Sequence, residues 1–539
     1  MMCHNLNRLA RRAPCESMVA AGDFSKDAKR HTMARIVPAI LFSLCFALSS
    51  ASVNAADTPA QSKPDDQPEL KVINLAVYPA PIPRPAMKYH LLPRYADQTP
   101  GNAALLYDTV LMQIAWEQGI RDEQSRGLKD EKELEKFFTN ADKLSLWLET
   151  PLAEIPKNDV RKLLDNVQPW WMDYIELASR QTECDWGLQI KGMHNPLDIN
   201  IYYEHLARSL ARIIAMKARL SLAEGKPEEA LKSLQMGFAL SQHLGQGKVP
   251  LVCYAGGSST AGMMRDQLLD LSQLKNAPNL YWSLSNLPHP FLSFRDTVEF
   301  EESLIDRLLP QMQEAKKGQH TPEQWQKLWE DAGEKINDFP ATYIDRTDHL
   351  HNDNKNEIYD PKKILTENYP KARDYLINIG WPEKEIQSMA PARVMLLHCA
   401  EIWGEMFDDY IKWLGINYSQ WPNNYRNYLP LEKELKKIYK QKEIIPLSKL
   451  IPPFGAVVVR QARFEREMES LRCIEAIRLY AYSHNSKLPG SLGAIKEVPI
   501  PPNPMTGKPF SYHLEGDTAV LLADGDGRIN YEYRIKIAK

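Results

Sequence analysis

The chain has no Cys-X-X-Cys pair, no glycine-rich phosphate loop carrying a lysine, no flavin or haem motif, and no apolar run long enough to cross a bilayer. Each absence removes a class. Without closely spaced cysteines there is no zinc ribbon and no thioredoxin-type redox site. Without the nucleotide, flavin and haem signatures no organic cofactor is implied. A concentrated basic surface is missing as well. Of 66 Lys and Arg and 69 Asp and Glu, seven and three fall in the first 55 residues, which leaves 59 basic against 66 acidic residues, a net −7. Basic excess is confined to mixed-sign stretches such as LEKELKKIYKQKE (residues 431–443), the pattern of a solvated helix face and not of a phosphate grip, so no nucleic acid partner is expected. What remains, 44% hydrophobic and 25% charged over 539 residues, suits a globular chain with a sizeable core and more than one domain.

The N-terminal region reads as a targeting segment. From Met33 the sequence runs MARIVPAILFSLCFALSSASVNAADTPA, with Arg35 as the basic start, an apolar stretch over 36–48 and small residues before Ala55. Met33 is the natural start of translation and Ala55 the expected cleavage position, so residues 1–55 form leader and export signal. Thirteen residues interrupted by Pro38 and Ser43 fall short of the ~20 that span a bilayer, so the mature chain is expected to have no transmembrane segment and to be periplasmic or extracellular. Cys184, Cys253, Cys399 and Cys473 stay in the mature chain at long intervals. In an oxidising compartment they form up to two disulfides; buried thiols are the alternative.

Residues 56–100 hold nine prolines, among them YPAPIPRP at 78–85. Proline fixes φ and removes a donor, so the segment reads as a linker. From 101 to 445 the pattern is helical. ALLYDTVLMQIAWEQGI (104–120) sets Leu105, Tyr107, Leu111, Ile114 and Ala115 along a stripe, and TPEQWQKLWEDAGEKI (321–336) opens with Thr, Pro and Glu as a helix start does. Residues 215–247 carry Ala218, Gly225, Ala230, Leu234 and Gly237 at spacings similar to the small and packing positions of a tetratricopeptide repeat. A shift by 34 residues brings no second copy into register. The body is therefore read as an irregular multi-helix stack of packed helical hairpins.

The last part, 446–539, has a different pattern. One long amphipathic helix over 460–495 breaks at SKLPGSL, and strand-like runs follow, the clearest being INYEYRIKI, where Ile529, Tyr531, Tyr533, Ile535 and Ile537 share a face. The expected fold class is mainly α, closed by a small α+β module in which the long helix lies on a three-stranded antiparallel sheet. The order of a helix, LP at 488–489 with Leu492, PPNPMTGKPF at 501–510 with Tyr512, a strand and the DGDG of 524–527 resembles the C-terminal half of the major pseudopilins of type II secretion, a tail also found on exported bacterial proteins with helical bodies. That resemblance implies calcium near the corresponding loop, with Asp524 and Asp526 as donors. As an EF-hand loop the stretch fails, because Leu522 and Tyr533 fall where the first and last ligands belong. As a turn between strands it is well made, since Asp and Gly tolerate positive φ.

Three segments are candidates for chemistry. LLHCAEIWGEMFDDY (396–410) puts His398, Glu401, Glu405 and Asp408 at helical spacing, a possible metal-ligand face. DRTDHLHNDN (345–354) crowds His349 and His351 among aspartates, in a stretch that also reads as a polar loop. YAGGSSTAG (254–262) resembles a nucleophile or phosphate loop without fitting either, because Thr260 replaces the glycine of one and the lysine of the other is missing; small residues at a helix contact explain it. The favoured functional expectation is a non-enzymatic exported protein whose helical body makes protein–protein contacts in the cell envelope. The alternatives are a metal-dependent enzyme using the His398 and Glu401 face, and an accessory of a secretion or pilus-like assembly.

Overall fold

The computed structural model describes residues 68–125, 139–165, 169–188, 199, 202–337, 360–422, 430–452, 454–525 and 527–538. The export segment, the 345–354 loop with His349 and His351, and Asp526 lie outside them.

Helices dominate, sixteen among the described residues. The first eight are α1 (Ala103–Ser125), α2 (Thr139–Glu149), α3 (Lys157–Asp165), α4 (Pro169–Ser179), α5 (Tyr202–Ala223), α6 (Pro227–Gly245), α7 (Leu251–Ser272) and α8 (Tyr281–Ser285). The second eight are α9 (Arg295–Leu308), α10 (Pro310–Lys317), α11 (Pro322–Asn337), α12 (Pro361–Asn378), α13 (Glu383–Ser388), α14 (Pro391–Ile411), α15 (Pro430–Lys440) and α16 (Phe454–Ser483). Their starts follow local chemistry. At α11 the Thr321 hydroxyl accepts from the Gln324 N–H at 3.4 Å while the Gln324 side chain accepts from the Thr321 N–H at 2.9 Å, a reciprocal cap that satisfies two open donors. At α6, Pro227 occupies the first turn with Glu228 and Glu229, where a missing N–H costs nothing and negative charge meets the positive helix end.

The helices α5, α6 and α7 pack against one another at the centre of the body. Gly225, at φ +72°, turns the chain between α5 and α6, and Ala218 and Ala230 are fully buried in the hairpin they form. Small residues set the spacing of α6 and α7. A Cβ on Gly257 would lie 2.7 Å from the Ser241 carbonyl oxygen and 2.8 Å from the Gly245 Cα, so the two backbones touch. In the other half of the body α14 runs through the middle, with α10, α11 and α12 packed around it.

The sheet beside the body has strand order β1-β6-β5-β4, from β1 (Glu69–Val77), β4 (Ser511–Glu515), β5 (Thr518–Ala523) and β6 (Ile529–Ile537). A second, two-stranded sheet pairs β2 (Thr99–Asn102) with β3 (Gln181–Glu183). The hairpin β4–β5 turns through Gly516 and Asp517, with Gly516 at φ +62°, the sign a tight two-residue connection requires at its first position. The expected antiparallel trio β4, β5 and β6 is present. The correction is a fourth strand: β1 pairs in parallel with β6 from Glu69 opposite Ile529 to Val77 opposite Ile537, making the sheet mixed. It lies inside the stretch read as linker. The prolines of 78–85 begin just after it, and that stretch itself has neither helix nor strand.

The helix α16 joins both regions. Twenty of its thirty residues are buried, too many for a helix resting on one sheet face. Residues from Phe454 to Leu471 belong to the core of the helical body, whereas Cys473, Ile474, Ile477 and Leu479 pack with Leu75, Val77, Ala519, Leu521 and Ile535 of the sheet. Ile474 and Ile477 are each fully buried, worth roughly 1.5–3 kcal/mol apiece. Cys184, Cys253, Cys399 and Cys473 form no disulfide with one another. No helix among the described residues is long and apolar enough to cross a membrane.

Candidate functional site

A cleft of about 170 Å³ opens where α5, α7 and α16 meet the sheet. Helix α7 gives it Ser258, Ser259, Gly262 and Arg265; α5 gives Arg212; α16 gives Arg460, Arg463 and Glu467; β1 and β6 give Lys71 and Tyr531. The space exists because α7 presents small side chains there, and a Cβ added at Gly262 would meet nothing within 4 Å. The YAGGSSTAG run thus has two faces. Gly256 and Gly257 hold α7 against its neighbours, as small residues at a helix contact should, and the next turn, at Ser258, Ser259 and Gly262, lines the cleft. A second groove, about 400 Å³, continues along β1 and shares Lys71, Arg265, Asp266, Glu467 and Tyr531 with the first.

The cleft is electropositive in a chain of net negative charge. Five cationic side chains, Lys71, Arg212, Arg265, Arg460 and Arg463, face three carboxylates, Glu149, Asp266 and Glu467. Arg265 is ion-paired to Asp266 at 2.6 Å and to Glu467. Burial works against its charge, yet Asp266 and Tyr531 beside it outweigh that and hold its pKa above the ordinary arginine value. Arg466 lies beneath, fully buried, donating to the Ile529 carbonyl at 3.1 Å and sitting 5.3 Å from the Tyr531 ring centre. Arg212 differs from both. It makes no hydrogen bond or ion pair among the described residues, and burial together with the Arg208 charge lowers its pKa, with only Glu204 opposing. Arg208 itself is committed to Glu204 at 2.8 Å. Burial also raises the pKa of Tyr531, so its hydroxyl stays protonated and able to donate. The lining contains no histidine or cysteine, so Ser258 and Ser259 have no imidazole base there to activate them. The arrangement suits holding an anion by charge-assisted hydrogen bonds.

The other residues singled out in the sequence lie elsewhere. Asp524 sits in the connection between β5 and β6, where Gly525 has φ +92°. Its carboxylate accepts from the Asn503 side chain at 3.0 Å and its carbonyl from the same amide at 3.1 Å, with an Arg466 N–H also directed at that carbonyl, 3.5 Å away. The Asp524 carboxylate is thus engaged with Asn503, and Asp526, the other expected calcium donor, lies outside the described residues. Asn503, fully buried, explains the PPNPMTGKPF framework: it accepts from the Met505 N–H at 2.9 Å and ties that loop to the 524 loop.

His398 is fully buried, edge-on to the Tyr375 ring at 4.9 Å, with neither ring nitrogen hydrogen-bonded to a described residue. Burial and the nearby Lys371 push its pKa down to about 4. Glu401 pairs with Lys316 at 3.7 Å, and Glu405 accepts from Tyr375 and Lys442 at 2.6 and 2.5 Å. Glu401 and Glu405 are thus engaged with cations and a phenol, and no group of three or more potential metal ligands occurs among the described residues. The arginines of the cleft were not singled out in the sequence. They come from segments up to hundreds of residues apart.

The chain matches no protein-family model, no curated protein and no solved structure.

Proposed function

We propose that this protein is an exported, non-enzymatic component of the cell envelope that holds another protein, and that the cleft between helical body and sheet is the place of contact. The observation that carries this is Arg212, a half-buried guanidinium at a cleft wall with no hydrogen-bond or ion-pair partner among the described residues. A guanidinium at a cleft wall that bonds to no described residue has donors open to an anionic group. The position of the cleft supports the same reading, since body, long helix and first strand all contribute to it. A binding surface built from several rigid elements holds its geometry better than one built on a loop.

The test is a photo-crosslinking amino acid placed at Ser259 in the full chain expressed in cells, with the same group at the exposed Lys384 of α13 as control. A discrete crosslinked protein from Ser259 alone, lost in Arg212→Glu, is the expected result. No adduct from Ser259, or one indifferent to Arg212, would remove the cleft from the protein's function.

A further inference from the structure

The groove beside the cleft lies over β1 and β6, with Lys71, Val72 and Ile73 on one side and Tyr531 and Tyr533 on the other, and β1 is the unpaired edge of that sheet. In a parallel ladder alternate residues of a strand bond to the neighbour. The Glu69 N–H donates to the Arg528 carbonyl and the Val77 carbonyl accepts from the Ala538 N–H, so the odd-numbered residues of β1 are those turned to β6. Leu70, Val72, Asn74 and Ala76 therefore direct their N–H and C=O groups outward. The Ala76 N–H is taken by the Gln273 side chain at 3.3 Å. The other three meet no partner among the described residues, and β1 is the end of the sheet.

Edges of this kind are ordinarily blunted by proline, outward lysine or a bulge. Here the strand has no proline and no bulge, and its protection is confined to Glu69, Lys71 and the Gln273 side chain over Ala76. Its nine residues keep register throughout, and its outward positions include Leu70 and Val72, 50% and 48% exposed. The groove that follows it is bounded by Lys71, Val72 and Ile73 on the strand and Arg265 on α7, and opens into the cleft that holds Arg212. The groove itself is balanced, Lys71 and Arg265 against Asp266 and Glu467, and the backbone groups of β1 thus lead toward a cleft where five cations face three carboxylates.

We infer that the occupant is an acidic, extended segment of a partner protein, added to β1 as a fifth strand with a carboxylate seated in the arginine cleft. This rests on the cleft being a protein-contact site and names what it contacts. Main-chain hydrogen bonds to Leu70, Val72 and Asn74 supply affinity that is indifferent to sequence, and the guanidinium groups select negative side chains.

The experiment uses the mature chain and a fluorescent eight-residue peptide alternating valine with glutamate, against its valine–lysine counterpart. Fluorescence anisotropy should show saturable binding of the glutamate peptide, at least tenfold tighter than the lysine peptide and weakened by salt. Val72→Pro removes an outward N–H that β6 does not use, so the sheet persists while binding falls at least tenfold. Leu70→Pro serves in its place should the first variant fail to fold. Gly262→Leu, which fills open space, and Arg212→Gln should each weaken the peptide without unfolding the protein. Three results would overturn the inference: equal binding by folded proline variants, displacement of the peptide by inorganic phosphate or phosphatidylglycerol vesicles as readily as by unlabelled peptide, or a dimer in sedimentation that Val72→Pro dissolves. The last would make a second copy the occupant. A crosslink from Ser259 that survives in a folded Val72→Pro chain would keep the cleft as a contact site and reject the added strand alone.

Discussion

At the junction of β1, α16 and the loop before α8, Arg478 is 0% exposed and spends its donors on the Glu475 carboxylate at 2.8 and 2.9 Å and on the carbonyls of Tyr78, Ala277 and Pro278. Glu475 in turn accepts from the Leu280 N–H at 3.1 Å. Elsewhere Arg212 is half-buried at the cleft wall and spends its donors on nothing among the described residues. Arg478 has lost its hydration, the chain itself restores what was lost, and the residue works as a clasp between the first strand, the body and the sheet. Arg212 keeps part of its surface and leaves its donors open, which is how a site differs from a scaffold.

Breaking the clasp should produce the largest effect. Arg478→Met leaves the Glu475 carboxylate buried without its cation, and urea denaturation should show a loss of about 3–5 kcal/mol. Adding Glu475→Gln should return much of it. Arg212→Gln should shift the same midpoint by less than about 1 kcal/mol, in either direction, since no partner is stranded. If the two single variants are equally destabilising, the distinction between clasp and site is lost.

Two buried histidines sharpen the comparison from the side of protonation. Burial and the Lys371 charge hold His398 at about 4, and burial holds His243 at about 4 against the pull of a backbone hydrogen bond. The unfolded chain takes up these protons near pH 6.5 and the folded chain does not, so their contribution is intact above pH 6.5 and is lost as pH falls from 6.5 to 4. It amounts to about 3 kcal/mol for each. Urea midpoints at pH 7 and pH 4.5 measure it. His398→Leu should shrink the difference between the two pH values by about 2–3 kcal/mol. An undiminished difference would mean that His398 gains a proton partner on folding.

Glycines of one helix test the two faces of α7. Gly257→Ala drives a Cβ against the Gly245 backbone, and overpacking of this kind costs about 1–3 kcal/mol. Gly262→Ala meets open space and should stabilise the helix by roughly 0.5–1 kcal/mol. Thermal melts of the two variants should therefore move in opposite directions. Movement of both downward would mean that the cleft closes at Gly262 in solution.

Much of the fold was readable because it is written locally. The Thr321 cap, the Gly225 turn with Pro227, and the alternation of Ile529 to Ile537 are signals within one turn or one strand. The strand β1 was missed because nine prolines around it outweighed the β-branched run KVINLAV, and because its partner lies more than 450 residues away. The double burial of α16 was missed for a related reason. An amphipathic pattern tells of one covered face, and the second is supplied by a body that no local period encodes. The cleft was the least readable feature. Ser258 and Ser259 drew attention as a failed nucleophile motif, whereas their importance comes from Arg212, Arg463 and Lys71 arriving from other elements.

The smallest effect is expected at the connection between β5 and β6. If Asp524 is part of the sheet's construction, its carboxylate serves Asn503 and its carbonyl faces Arg466, so a divalent cation would have to displace an amide hydrogen bond and approach a guanidinium. Melting of the mature chain in millimolar calcium and in chelator should then coincide. Asp524→Asn should cost about 1 kcal/mol or less, the value of one exchanged hydrogen bond. A calcium-dependent rise in Tm would reverse the assignment, since a ligand at a hundred times its Kd adds ~2.7 kcal/mol. Abolition of that rise by Asp524→Asn would then place the ion at this loop and show that Arg466 swings away to admit it.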